Sequence, residues 1–256
     1  MFNDWIGRGE ELAETYRTAS PFPVLVIDDF LEAAAADAVL REFPKPDAMP
    51  KSRDYVFGDK HELSSVAEQG EASRALYDAL MGEQFRTFIS ALTGKELFVD
   101  PAFHGGGFHQ SADGGYLDNH VDFNVHPLHP DWLRTLNILL YLNKDWKPEY
   151  DGRLLIKASL DGEARAIEPL FNRGVIMLSD AHTYHGFKKM ALPPGVTRKS
   201  IATYAYQRIE VGSTKPRTTG WAPEDAGTLK RSLARHYDAA VRVKNRFLGS
   251  ATARNR

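Results

Sequence analysis

The chain has 256 residues, 43% of them apolar, and a formal net charge of -2. That is enough for one domain with a sizeable core, and no overall field draws it to nucleic acid or a membrane. With no cysteine in the chain, disulfides, thiolate metal sites and thiol catalysis are excluded.

No apolar run reaches the roughly 18 residues that a membrane span needs. The opening MFNDWIGRGEEL is acidic and lacks the basic and apolar regions of a signal peptide, so a cytoplasmic location is expected.

Residues 1–95 read as a mostly helical support belonging to the same domain as residues 96–210. Asp4 is placed to cap a first helix running toward Thr18, which Pro21 and Pro23 then break. Phe22-Pro23-Val24-Leu25-Val26-Ile27 reads as a short buried strand. Asp29 with Glu32 three residues on has the form of a capping box for a helix ending before Pro44. Pro46, Pro50 and Gly58 mark residues 46–61 as a loop, a candidate lid by composition. A helix is predicted from about Glu71 to Leu92, stopped by Gly94.

Residues 96–210 read as the β core. Glu96-Leu97-Phe98-Val99 opens it, and Gly105-Gly106-Gly107 and Gly114-Gly115 mark turns. The strand from Arg134 to Asn143 has Leu136, Ile138, Leu140 and Leu142 on one face and Thr135, Asn137, Leu139 and Tyr141 on the other. Both faces carry apolar groups, so both should be covered. Short strands are also predicted at 153–157, 174–179, 184–188 and 198–208. Many short strands with Gly and Asp turns imply a sandwich or jelly roll. The fold class is therefore α+β, with a jelly-roll core between N-terminal helices and a C-terminal helix.

Residues 211–256 form a loop and then a helix, with Asp225 as its candidate cap and Phe247 near its end. From Ala226 onward there are eight Lys or Arg and one acid, Asp238. A helix packed on the domain with a solvated basic face accounts for this pattern, and an acidic docking partner is the sharper alternative.

His120-Val121-Asp122 puts an imidazole and a carboxylate on one face of a strand. Two histidines and one carboxylate form the facial triad of non-haem Fe(II), which leaves positions open for a cosubstrate and O2. His-x-Asp alone is weak, since it occurs by chance in many chains. Three features strengthen it. The motif follows a Gly114-Gly115-Tyr116 turn and precedes the strong 134–143 strand. His185 opens a strand after the buried run 174–180. Arg198 starts the next strand with Ser200 on its face.

An inward Arg198 needs a carboxylate partner, and its planar guanidinium suits one. A cosubstrate with a carboxylate at one end and a chelator at the other, such as 2-oxoglutarate, meets both demands. His182 rivals His185 as third ligand but sits in the 179–183 turn. His109 is a candidate for contact with the site or substrate, as are Tyr116, Asn124, His126 and Arg153 by nearness to the motif. Asn137 faces the same way as Tyr141, toward the cosubstrate.

The chain resembles the iron(II)/2-oxoglutarate-dependent dioxygenases of the prolyl 4-hydroxylase-like superfamily over about residues 96–210. The likeness rests on Gly115-Tyr116 leading to His120-Val121-Asp122, Tyr141-Leu142-Asn143 at a strand end, Gly152-Arg153-Leu154, and Ser179-Asp180 five residues before His185. Phe123 and Asn124 extend it to the His-x-Asp-Phe-Asn of bacterial members, as does the Phe22–Leu31 opening. Two departures concern the substrate entrance: Asp151-Gly152 replaces a common Gly-Gly, and Tyr116 to His120 is one residue longer than in animal oxygen-sensing members.

The resemblance implies a double-stranded β-helix, or cupin-like jelly roll, and selects His185 over His182. It implies Fe(2+) on His120, Asp122 and His185. It further implies that 2-oxoglutarate is held by Arg198, Tyr141 and Ser200 with Asn137 nearby, that O2 is consumed, and that ascorbate is a candidate reductant. The expected activity is hydroxylation of a small molecule, amino acid or peptidyl residue with release of succinate and CO2. The presence of Asp122 argues against halogenation. The alternatives are a metal-free cupin-like sugar isomerase using His185 with Tyr184 or Tyr204, and a non-catalytic binding jelly roll.

Overall fold

In the computed structural model, residues 1–51, 56–223, 227, 230 and 232–234 are described. The expected C-terminal helix lies outside the described residues apart from those few positions, and so does its docking role.

Among the described residues, the α-helices are α1 (Gly9–Thr18), α2 (Ala33–Arg41), α3 (Glu71–Met81) and α4 (Glu83–Thr93). The strands are β1 (Val24–Ile27), β2 (His61–Leu63), β3 (Phe98–Val99), β4 (Gly107–Ser111), β5 (Leu117–Val121), β6 (Val125–His126), β7 (His129–Tyr141), β8 (Leu154–Lys157), β9 (Arg165–Ile167), β10 (Arg173–Leu178), β11 (Tyr184–Phe187), β12 (Arg198–Arg208) and β13 (Gly220–Trp221). The larger sheet runs β1-β10-β7-β12-β4-β2, with β3 on β12 and β6 on β7; the smaller runs β13-β5-β11-β8-β9. The two antiparallel sheets make the double-stranded β-helix.

β7 explains why that stretch is apolar on both faces. Its Leu136, Ile138, Leu140 and Leu142 join Trp5, Tyr16, Leu76, Phe85 and Phe88 in a core between the larger sheet and the helices. Its Leu139 and Tyr141 meet Leu154 and Ile156 of the facing sheet. Each such side chain contributes about 1.5–3 kcal/mol when fully buried.

Several boundaries differ from the sequence expectation, each for a local reason. The first helix splits into a 3-10 turn, Asp4–Gly7, and α1, and no side chain caps either. The Asp29 capping box is absent. Asp29 sits at φ 50, and α2 starts only at Ala33. Tertiary bonds claim that segment: Phe30 N and Leu31 N donate to Asn172 at 2.9 Å, and Asn3 Nδ2 donates to Asp29 O at 2.7 Å. The 71–92 helix breaks at Gly82, which adopts extended backbone between α3 and α4. Gly94 ends α4 in the left-handed region at φ 69, as its place in the sequence implies.

The described residues of the 46–61 stretch do not all stand clear of the core. Gly58 bridges to Leu117, Asp118 N donates to Phe57 O at 2.8 Å, and β2 pairs with β4. Residues 56–63 thus join the edge of one sheet to the edge of the other. The tail contributes β13 to the smaller sheet, and β1 and β2 come from the N-terminal zone.

Gly107 is where β2 and β4 meet most closely. A Cβ there would lie 2.2 Å from Leu63 O, and its φ of +100 already disfavours any side chain. Gly107→Ala is expected to cost about 2–3 kcal/mol. A urea midpoint unchanged from wild type would refute this.

Candidate active site

Strand pairing assembles the predicted ligands. His120 near the end of β5 and His185 at the start of β11 are register partners, and their rings lie 4.2 Å apart. Asp122 follows β5 directly. His120 Nε2 is 3.7 Å from Asp122 Oδ1, and His185 Nε2 is 3.7 Å from Asp122 Oδ2. All three groups are buried, and their donor atoms lie within 4.8 Å of one another. Two bonds of about 2.1 Å to one ion reach across about 4.2 Å at most, enough for both 3.7 Å gaps to Asp122.

The backbone fixes both tautomers. His120 Nδ1 lies 2.9 Å from Asp118 O, and His185 Nδ1 lies 3.1 Å from Thr183 O. A carbonyl only accepts, so each Nδ1 carries the hydrogen and each Nε2 presents a lone pair toward Asp122. Burial, and then the neighbouring His185, push His120 down to about 3, so the ring is neutral at physiological pH. Burial alone would raise the Asp122 carboxyl. The Arg134 guanidinium and the two imidazoles overcome this and hold it well below the usual range. His182, the rival ligand, is exposed on its turn.

The sequence reading missed Arg134. It is 2% exposed, its Nη1 lies 3.1 Å from Asp122 Oδ2, and its guanidinium is stacked between Phe123 at 3.6 Å and Tyr204 at 3.5 Å. Strict alternation puts Arg134 on the outer face with Leu136. The structure instead has a β-bulge: Leu136 pairs with Ala205 but Arg134 with Tyr206, so Thr135 is the extra residue. A one-residue slip turns a side chain to the other face. Asn137 Nδ2 donates to the same carboxylate oxygen at 3.1 Å.

Arg198 lies in the same cavity, which also reaches His120, Asp122, His185, Tyr141 and Ser200. Its Nε donates to Gly152 O at 2.7 Å and its Nη2 to Tyr141 Oη at 3.2 Å. Its guanidinium also lies 4.1 Å from the Phe187 ring. Both hydrogen-bond partners are neutral, and burial lowers its pKa, offset only by Tyr141. An arginine 6% exposed with no carboxylate among the described residues is an anion site in waiting. Burial raises Tyr141, so its hydroxyl keeps a proton, which remains free to donate.

A second missed group comes from the tail. Arg217 Nη2 donates to Asp122 O at 2.8 Å and Asp180 O at 3.1 Å, tying together the turns beside two ligands. Trp221 lies 4.8 Å from the His120 ring and stacks on Phe57. No short motif marks either residue. Outer contacts of this kind typically set metal affinity by about 10–100-fold. Arg217→Leu is expected to weaken Mn(II) binding by about tenfold, read by titration calorimetry, with Arg217→Lys intermediate. Equal affinities in all three proteins would refute it.

The remaining candidates scatter. His109 lines the cavity. Tyr116 Oη instead donates to Val56 O at 3.4 Å. Asn124 Oδ1 accepts from Arg217 N at 2.7 Å, so it anchors the tail segment. His126 is buried 3.5 Å from Asp100, among Trp132 and Tyr206. Arg153 is partly exposed beside Asp151 and Glu168. These last four do not line the cavity.

Residues 106–206 match the model of the 2OG-Fe(II) oxygenase superfamily. Among solved structures, a prolyl-4-hydroxylase from Pseudomonas putida is similar at 20% identity and a TM-score of 0.59, covering 79% of this chain and 100% of its own. A prolyl hydroxylase from Trichoplax adhaerens, solved with a hypoxia inducible factor peptide fragment, is similar at 17% identity and a TM-score of 0.57, covering 80% and 93%. A non-heme alpha-ketoglutarate-dependent epimerase from nogalamycin biosynthesis is similar at 13% identity and a TM-score of 0.53, covering 87% and 88%. No curated protein matches the chain by sequence. At these identities the structural likeness establishes the fold.

Proposed function

We propose that this chain, whose residues 106–206 match the model of the 2OG-Fe(II) oxygenase superfamily, hydroxylates an unactivated C–H bond of a small-molecule, amino-acid or peptidyl substrate. His120, Asp122 and His185 would hold the iron, and Arg198 the far carboxylate of 2-oxoglutarate. One observation carries the reading. A triad of metal-ligating groups and a buried cation without an anion share one cavity.

When bound, ferrous iron with 2-oxoglutarate supplies the activation of O2, with succinate and CO2 as co-products. The chain's own residues do the rest. The Nε2 lone pairs of His120 and His185 are presented without a proton to remove. Asp122 stays charged against Arg134. Arg198 offers its fork to a carboxylate, with the Tyr141 hydroxyl and Ser200 beside it. Leu139, Leu154 and Phe187 line the same space and exclude water from it.

The isomerase alternative fares poorly on Tyr204. Tyr204 Oη donates to Gly105 O at 3.0 Å, and burial pushes its pKa far up, so it is a poor acid or base. The expected result is a weak visible charge-transfer band when Fe(II) and 2-oxoglutarate are added without oxygen, and succinate formation once O2 is admitted. Arg198→Met should retain Fe(II) but weaken 2-oxoglutarate binding by about 100-fold, the loss of a charged bidentate contact. Absence of both band and succinate in the wild type would sink the proposal.

A further inference from the structure

Beyond the cation at Arg198, the cavity wall carries a second one. Lys60 lines the same space as the triad, and its side chain is only 14% exposed. It pairs with Glu62 at 3.3 Å, which engages one of the three ammonium donors. Beside it stands His109, the register partner of Glu62 on one side and of Ser200 on the other. His109 lines the cavity wall, and its buried Nε2 has no hydrogen-bond partner. A buried polar atom left unpaired costs free energy unless a ligand meets it. Burial, followed by the Lys60 charge, holds His109 down to about 3, so its ring is neutral and free to donate.

We propose that Lys60 and His109 form a second carboxylate-binding site in this cavity, distinct from Arg198. The inference rests on the oxygenase reading and deepens it. Lys60 lies outside the 106–206 span that matches the superfamily model, and His109 lies within it. A lysine ammonium and a neutral imidazole N–H together suit a carboxylate. Two ligands in such a cavity carry one: the oxo-acid end of 2-oxoglutarate, and an acidic substrate.

The test uses the full chain loaded anaerobically with Fe(II), as wild type, Lys60→Met, Lys60→Arg and His109→Phe. Each is titrated with 2-oxoglutarate by the visible band. Each is then saturated with 2-oxoglutarate and given propionate, whose proton relaxation by the paramagnetic iron reports its approach. A carboxylate held by a charged donor is worth roughly 10–100-fold in affinity. If 2-oxoglutarate weakens by that factor in Lys60→Met and recovers in Lys60→Arg, the site takes the cosubstrate. If 2-oxoglutarate is unaffected but propionate relaxation is lost in Lys60→Met and kept in Lys60→Arg, it takes the substrate's carboxylate. No change in either titration in Lys60→Met overturns the proposal, even if His109→Phe fails to fold. Arg198→Met is run beside them. If it leaves 2-oxoglutarate binding intact, the cosubstrate reading fails by itself, and propionate still decides the second site.

Discussion

Asp122→Ala, purified free of metal, is expected to be less stable than wild type by about 3–5 kcal/mol, the usual cost of removing one partner from a buried ion pair. Its oxygen-dependent turnover should fall to background. The stability loss is the sharper part. Carboxylates in functional sites often repel one another, and removing one then stabilises the protein. Here the carboxylate faces a guanidinium 3.1 Å away that is 2% exposed and has no other ion-pair partner among the described residues. Truncating Asp122 strands that cation between Phe123 and Tyr204. Urea titration in the presence of a chelator measures the effect, and a variant as stable as wild type would show the pair to be idle. The same pair gives the metal-free protein an acid dependence. The Asp122 carboxyl is held below its ordinary value. The stability it adds is therefore complete above about pH 5 and is lost as pH falls and the carboxyl protonates.

Arg134→Met is expected to be destabilised by a comparable amount, about 3–5 kcal/mol, because it leaves the Asp122 carboxylate buried without its cation. It also forfeits two ring contacts worth about 0.5–2 kcal/mol. Metal affinity should fall by about 10–100-fold, since Oδ2 loses the group that orients it. The double variant Asp122→Leu/Arg134→Met separates the two effects. A buried ion pair replaced by apolar groups of similar size is often neutral in stability. The double variant should therefore regain wild-type stability to within about 1 kcal/mol while binding no metal. Additive losses in the double variant would mean that the two residues do not act on each other.

The candidate metal-ligating set and its arginine were legible because their elements obey strand periodicity and sit at turns. His120 and Asp122 two residues apart, His185 opening a strand and Arg198 opening the next are all local signals, and the structure brings all four to one cavity. Tyr141, Ser200 and Asn137 follow from alternation along β7 and β12 and line that cavity too. Arg134 was illegible because a bulge at Thr135 reverses the alternation that would have predicted its side. Arg217 and Trp221 were illegible because they act across the fold from a stretch with no periodic pattern at all. Tyr116, Asn124, His126 and Arg153 were named for closeness in sequence, and loop paths carry them away from the cavity. The N-terminal helices were read as helices, but the 71–92 stretch is two of them, broken at Gly82, and the start of α2 was set by tertiary bonds such as those of Asn172, which no local rule contains.

Phe57 and Trp221 stack face to face at 4.8 Å, with the Trp221 indole lying against His120. The backing of the His120 ring is therefore contributed by residues far apart along the chain. A polypeptide still emerging from the ribosome cannot complete that backing until β13 has been made. Fragments trimmed to residues 106–206 would leave one imidazole bare to solvent.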